Sequence, residues 1–345
     1  MLKDALPSLK AEAVDRPLPW FSDFDAWQRT TFVQELREAV RSLSEWQVPE
    51  VQGLGQRLAS ILDRAVENSL ASMFGALATE VVTVQALVSS LKEATDARIK
   101  RVLNLQLNQN REFLDDLARF IDGLQQGQMV EVDEHDELEA EEEEEEEEVS
   151  VARTARAAAL NAYMQAVRTQ ARAYVSKRTL SKNSRSGQIV AWLGDRTLST
   201  ADRAEVGVSL LLQSSARRFV HPVKRYIDSI PKRYRSFRRL RREESRWYAE
   251  HVIEPRDLYP LELDVVLLAI LRAAGDLLSS PTILQNIDTP AWSSLKPILD
   301  LYSNQILVDE APDFSPVQLA CMAALAHPRM RSFFACGDFN QRLTT

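Results

Sequence analysis

Along most of this chain, apolar residues return every third or fourth position, the period of a helix with one buried face. Phe32, Leu36, Val40 and Leu43 set that period for a helix over 22–46, with Ser22 or Asp23 as its cap and Pro49 as its close. Leu58, Ile61, Leu62, Ala65, Leu70 and Met73 repeat it over 56–74. Val81, Val84, Val88, Leu91, Val102 and Leu105 carry it across 79–122, as one long helix or an antiparallel pair. Lys92, Arg98, Lys100, Arg101 and Arg111 read as the solvated face of that segment. Residues 151–178 predict an Ala-rich helix, 176–187 a basic polar loop, and 188–193 a short strand or helical turn around Trp192. Ser199 and Asp202 signal another helix start, with the helix running to about Ala216. Residues 261–278 are apolar nearly all round, which predicts a helix buried on every side. Trp292, Leu295, Ile298 and Leu299 read as core.

The pattern changes after Gln305. Ile306-Leu307-Val308 is a short apolar run that stops at Asp309-Glu310, and Phe333-Phe334-Ala335-Cys336 is a second that stops at Gly337-Asp338. Between them Ser315-Pro316-Val317-Gln318 spells a capping box with Pro at the first helical position. The helix it opens runs through Leu319, Met322 and Leu325 and stops at His327-Pro328. Strand, helix and strand at this spacing predict two parallel strands joined by a crossover. A buried strand that ends in two carboxylates is where α/β nucleotide enzymes keep a metal site.

Composition narrows the class. Only ten glycines occur in 345 residues, amid long stretches of Ala, Leu, Glu, Arg and Gln, which favours a mostly helical protein. Cys321 and Cys336 lie in the strand region without disulfide or metal spacing and read as small buried apolar residues. The longest uninterrupted apolar run, Val265 to Leu271, is too short for a bilayer, and no signal peptide opens the chain. The expectation is a cytoplasmic protein without a membrane partner.

The net charge of −8 conceals two opposed segments. Residues 131–148 hold fourteen of the acidic side chains and no Lys or Arg, so the remainder has 36 acidic against 42 basic residues. That tract reads as a solvated linker, or as a mimic of nucleic acid that shields a basic groove. Between Arg217 and Arg246 twelve basic residues oppose only Asp228, Glu243 and Glu244, with Phe219, Tyr226, Tyr234, Phe237, Trp247 and Tyr248 interleaved. Arginines neutralise phosphates and aromatic faces stack on bases, so Arg233, Tyr234, Arg235, Arg238, Arg239, Arg241 and Arg242 are the expected contacts to single-stranded DNA or RNA.

Val308-Asp309-Glu310-Ala311-Pro312-Asp313 resembles motif II, the Walker B motif, of superfamily 1 helicases of the UvrD, Rep and PcrA type. Gly337-Asp338-Phe339-Asn340-Gln341 resembles their motif III. The two stand in order and at a βαβ spacing, and they cover about the last forty residues. The fold implied is mainly α with a small parallel α/β element: a partial RecA-like P-loop NTPase domain over 261–345. A helical region at 1–130, the acidic linker at 131–150 and a basic helical insertion at 151–260 would precede it. The activity implied is ATP-dependent movement on single-stranded DNA. By position, Asp309 would hold Mg²⁺ through water and Glu310 would activate the attacking water. Asp338 and Gln341 would sense the γ-phosphate of ATP, Gln341 as a catalytic residue, with Gly337 and Asp313 in the same sensing and coupling set and Asp313 ordering its loop.

Two departures qualify that picture. Pro312 stands where the family has Gln, so a side-chain polar contact is missing. None of the ten glycines precedes a Lys, so the sequence has no Gly-x-x-x-x-Gly-Lys-Ser/Thr phosphate loop. The P-loop and the arginine-finger domain would be supplied by another chain or be absent. The alternative is a non-catalytic module derived from a helicase, binding nucleic acid or acting on RNA polymerase.

Overall fold

The computed structural model describes residues 9–46, 48–64, 69–125, 154–248 and 258–338. It is mostly helical, with one two-stranded parallel sheet. The acidic tract lies outside the described residues.

Two compact units form, and neither is continuous with the domains expected from sequence. The first joins residues 1–84 to 218–345 and the second is 85–217. The expected 1–130 and 151–260 segments are therefore each divided between units. Reading along the chain assigns neighbours in sequence to one domain, and here the chain leaves the first unit and later returns to it.

In the first unit, α1 (Ala11–Asp15) leads into α2 (Pro17–Ser44) and α3 (Pro49–Arg64). Helix α2 starts at Pro17, whose fixed φ suits a first helical position, five residues before the expected caps. Ser22 Oγ instead donates to the Leu18 carbonyl. Pro49 opens α3 rather than closing the helix before it. Helix α4 (Leu70–Gln109) runs through the 84/85 boundary as one long helix. By length and composition α4 is long and apolar enough to cross a membrane, with 22% of its most apolar window buried. Uninterrupted apolar runs do not reveal this, because Thr, Ser and Gln punctuate the helix. On α4, Phe74 packs against Phe32 and Tyr226 at ring distances of 5.9 and 5.4 Å, and Glu80 pairs with Arg57.

The second unit holds α5 (Phe113–Gln125), α6 (Ala155–Val175), α7 (Arg185–Leu193) and α8 (Thr200–Arg217). Its core joins Ile99 and Leu103 of α4 to Phe113, Leu117, Tyr163, Val167, Ile189 and Leu210. Ser184 caps α7 by accepting from Gly187 N–H at 3.1 Å, so 185–193 is a full helix. Ser199 caps α8 as its sequence predicts, accepting from Asp202 N–H at 3.1 Å. Helices α6 and α8 touch where Gly207 leaves room: a Cβ there would overlap the Ala171 carbonyl oxygen.

The chain re-enters the first unit through α9 (Pro222–Asp228), α10 (Ile230–Glu243) and α11 (Pro260–Leu278). Ten residues of α11 are buried, and it packs on α2, α10 and the later helix α14. Leu263 and Leu267, one turn apart, remain exposed, so burial is not all round. Short helices α12 (Pro281–Gln285) and α13 (Lys296–Leu299) follow, with Trp292 and Leu295 buried and Ile298 and Leu299 half-buried. Then come β1 (Gln305–Val308), α14 (Pro316–Ala324) and β2 (Ser332–Ala335). The capping box of α14 is complete: Gln318 N–H donates to Ser315 Oγ at 3.2 Å, and Ser315 N–H to Gln318 Oε1 at 3.0 Å.

Candidate carboxylate site at the strand ends

Strands β1 and β2 pair in parallel with Gln305 opposite Ser332 and Val308 opposite Ala335. Equal lengths in register bring both strands to an end side by side; β1 runs straight into Asp309-Glu310, and β2 reaches Asp338 after Cys336-Gly337. The expectation of a buried strand does not hold. Only Val308 of β1 is buried, while Leu307 is 67% and Phe334 58% exposed. Among the described residues no third strand pairs with either edge. Parallel strands normally need cover on both faces, which this pair lacks on the Leu307 and Phe334 side.

Beyond the strands the backbone stays stitched. Cys336 N–H donates to the Val308 carbonyl, and Ala311 N–H donates to the Cys336 carbonyl, both at 2.9 Å. Asp309 Oδ1 accepts from Glu310 N–H at 3.0 Å and from Cys336 Sγ at 3.3 Å. That hydrogen bond, with the nearby charge of Asp309 and Glu310, pushes the Cys336 thiol up from its ordinary range. Cys336 is exposed, contrary to the expectation of a buried thiol, while Cys321 is buried as expected.

Glu310 adopts φ 53° and ψ 42°, the left-handed region. For a residue with a Cβ this costs on the order of 1–2 kcal/mol and persists only where the surroundings enforce it. A single 3₁₀ turn, Ala311–Asp313, follows, with Ala311 and Pro312 buried and Asp313 exposed. Gly337 lies against the Pro312 ring. Asp309, Glu310, Asp313 and Asp338 all face solvent. The structure thus brings five of the six expected site residues into two adjoining loops. The sixth, Gln341, lies outside the described residues.

Exposed carboxylates suit a hard, hydrated cation. Mg²⁺ commonly takes one or two carboxylates and completes its shell with water and phosphate oxygens. Among the described residues no group of three or more His, Cys, Asp or Glu encloses a metal position. Asp309 and Glu310 are exposed oxygen donors of the type such a cation takes. Nothing in the described loops supplies a backbone cradle for a triphosphate.

The basic helix α10 turns out differently from its sequence. Its apolar positions Ile230, Tyr234 and Phe237 face the core, and that rotation takes several arginines inward with them. Arg233 is 3% exposed, donates to Gln28 Oε1 at 3.2 Å and lies over the Phe32 ring; burial lowers its pKa to about 10. Tyr234 is fully buried, its hydroxyl 2.8 Å from that of Tyr248 and 3.1 Å from Glu262 Oε1. Arg238 pairs with Glu262 at 3.2 Å, with both side chains buried. Arg241 grips Asp23 through two hydrogen bonds of 2.9 and 2.8 Å, and Trp247 Nε1 donates to the same carboxylate. Arg233, Tyr234 and Arg238 are thus parts of the core, and the expectation that they contact nucleic acid is corrected; Arg241 is half-buried and held by Asp23. Arg235 and Arg239 are exposed and Arg242 half-buried, spaced to share one outer face of α10. Gln28 and Glu262 are not singled out by the pattern along the chain, and Asp23 only as a helix cap. They hold the inward arginines from helices far away in the chain.

The chain gives no significant match to any family model, curated protein or solved structure. The likeness to superfamily 1 helicases therefore rests on the two short motifs alone.

Proposed function

We propose that the strand-end loops are the magnesium and water-activating part of a nucleotide-hydrolysing site, in a chain derived from a superfamily 1 DNA helicase or translocase. The observation that carries this reading is the joining of the two motif loops. Asp309-Glu310 and Gly337-Asp338 follow adjacent parallel strands, Cys336 bonds across to Val308, Asp309 and Ala311, and Glu310 between them is left-handed. On this reading 261–345 is part of a RecA-like domain. Asp309 holds the hydrated Mg²⁺ that ATP brings, and Glu310 orients and deprotonates the attacking water. Asp338 and Gln341 would sense the γ-phosphate, and Asp313 would order the loop. The phosphate loop and arginine finger come from a separate polypeptide segment. The outer face of α10, with Arg235, Arg239 and Arg242, offers phosphate contacts to single-stranded DNA.

A second reading, a non-catalytic nucleic-acid-binding or polymerase-associated module, draws support from Pro312. Its buried ring occupies the place where the family carries a polar side chain.

Reconstitution separates the two. The chain is combined with segments that carry a P-loop and an arginine finger, and Mg²⁺-dependent ATPase is measured. Activity should appear, Asp309→Ala should weaken Mg²⁺-nucleotide binding, and Glu310→Gln should keep binding while turnover falls by roughly 10²–10⁴-fold. Equal turnover with Glu310→Gln removes Glu310 as the base. Absence of ATPase in every combination favours the non-catalytic module.

A further inference from the structure

We infer that Pro312 and Gly337 form a latch between the two carboxylate loops, which makes Pro312 a positioning residue for Glu310. This rests on the proposed reading of those loops as a cation site, and it gives the proline a role in that site.

Every backbone N–H around the turn is accounted for. Glu310 N–H goes to Asp309 Oδ1 at 3.0 Å, Ala311 N–H to the Cys336 carbonyl at 2.9 Å, Asp313 N–H to the Glu310 carbonyl at 3.0 Å, and Phe314 N–H to the Ala311 carbonyl at 3.2 Å. The one residue between them is Pro312, which has no N–H to satisfy. Any other residue there would bring a further backbone donor into a buried turn. The ring then fills the space above Gly337. A Cβ on Gly337 would overlap Pro312 Cδ and come within 3.0 Å of Ala311 N. Ring and bare Cα are thus complementary shapes, one on each motif loop.

The consequence falls on Glu310. Its left-handed backbone is bounded on one side by Asp309, which caps its N–H and holds Cys336 Sγ, and on the other by the Ala311–Cys336 hydrogen bond that the ring shields. Ring packing supplies the rigidity that a polar side chain would otherwise give, so the proline is compatible with an intact site.

The test is a double-mutant rescue on the full chain. Gly337→Ala drives a methyl group into the ring, Pro312→Ala removes the ring, and the double variant removes the clash. Amide hydrogen exchange is read by NMR at Ala311 and Cys336, with the α6 and α8 amides as an internal check of folding. Mn²⁺-induced broadening at residues 309–311 is read in parallel. Gly337→Ala should speed exchange at both amides by about tenfold or more and weaken the broadening. Pro312→Ala alone should also speed exchange at both amides, and the double variant, which relieves the overlap but lacks the ring, should exchange more slowly than Gly337→Ala and faster than the parent. The latch is overturned if Gly337→Ala leaves exchange at Ala311 and Cys336 unchanged, or if the double variant exchanges as fast as Gly337→Ala. If Mn²⁺ broadens nothing in the parent while exchange follows the expected order, the latch stands and the cation reading falls.

Discussion

Replacing Arg238 with alanine should destabilise the protein without touching its affinity for nucleic acid, and replacing Arg239 should do the reverse. The two residues are adjacent in sequence and carry the same charge, yet α10 sends them to opposite environments. Arg238 is 4% exposed and Glu262, its partner at 3.2 Å, is 0% exposed. Removing one member of such a pair leaves a buried carboxylate without its counter-charge, at a cost of ~3–5 kcal/mol. Glu262 still accepts from Tyr234, from Tyr248 at 3.2 Å and from Tyr259 N–H at 2.9 Å, which favours the lower end of that range. For a unit of this size the loss converts to a fall in Tm of roughly 6–20 °C. Arg239 faces solvent, where a substitution changes stability by roughly 0.5 kcal/mol or less. The assays are thermal denaturation by circular dichroism and fluorescence anisotropy with a labelled oligo-dT. Arg239→Ala should lower affinity and flatten its salt dependence, because one phosphate contact is lost. An Arg238→Ala protein that melts with the parent and binds DNA more weakly would refute the placement of α10.

Burial raises the Tyr163 hydroxyl to about 12 and pushes Tyr234 and Tyr248 well above their ordinary value. The folded chain keeps these protons where the unfolded chain releases them, so stability is full below about pH 10 and declines as pH rises through the folded values. Urea midpoints measured from pH 8 to 11.5 should be level and then fall; a flat profile to the end would contradict the burial of these rings. Gly207→Ala should destabilise the second unit by ~1–3 kcal/mol, since its methyl group meets the Ala171 carbonyl and comes 2.6 Å from Val175 Cγ2. Unchanged exchange protection of α6 and α8 amides would refute the close approach. Native protein should react with one equivalent of a bulky disulfide reagent, at exposed Cys336. Cys321, buried and with its thiol raised to about 12, should react only on unfolding. Two fast equivalents would show the α14 core to be open.

What could be read directly from the sequence was local. The Ser315–Gln318 capping box and the Ser199 cap depend on residues within one turn, and the parallel crossover on two apolar runs either side of one helix; all appear in the structure. The inward arginines of α10 could not be read that way. Charge density along 217–246 is real, but which arginines are internal depends on Asp23, Gln28 and Glu262. These stand up to 218 positions away, at Asp23 to Arg241. The domain division was hidden for the same reason, because α2 and α11 meet only after the chain has built another unit between them. The strand pair was legible in its parallel direction but not in register or burial, since both depend on how the strands are paired and covered. Pro312 looked like a lost contact because the ring's partner, Gly337, sits in the other motif.

The most direct test of the proposed site is Mn²⁺, standing in for Mg²⁺, added to isotopically labelled protein and followed by NMR. The amides of residues 309–311 and 336–338 should broaden first and together, recover when excess Mg²⁺ is added, and stay sharp in Asp309→Asn. Broadening that begins elsewhere, or that persists unchanged in Asp309→Asn, would contradict the assignment of these carboxylates as the cation site.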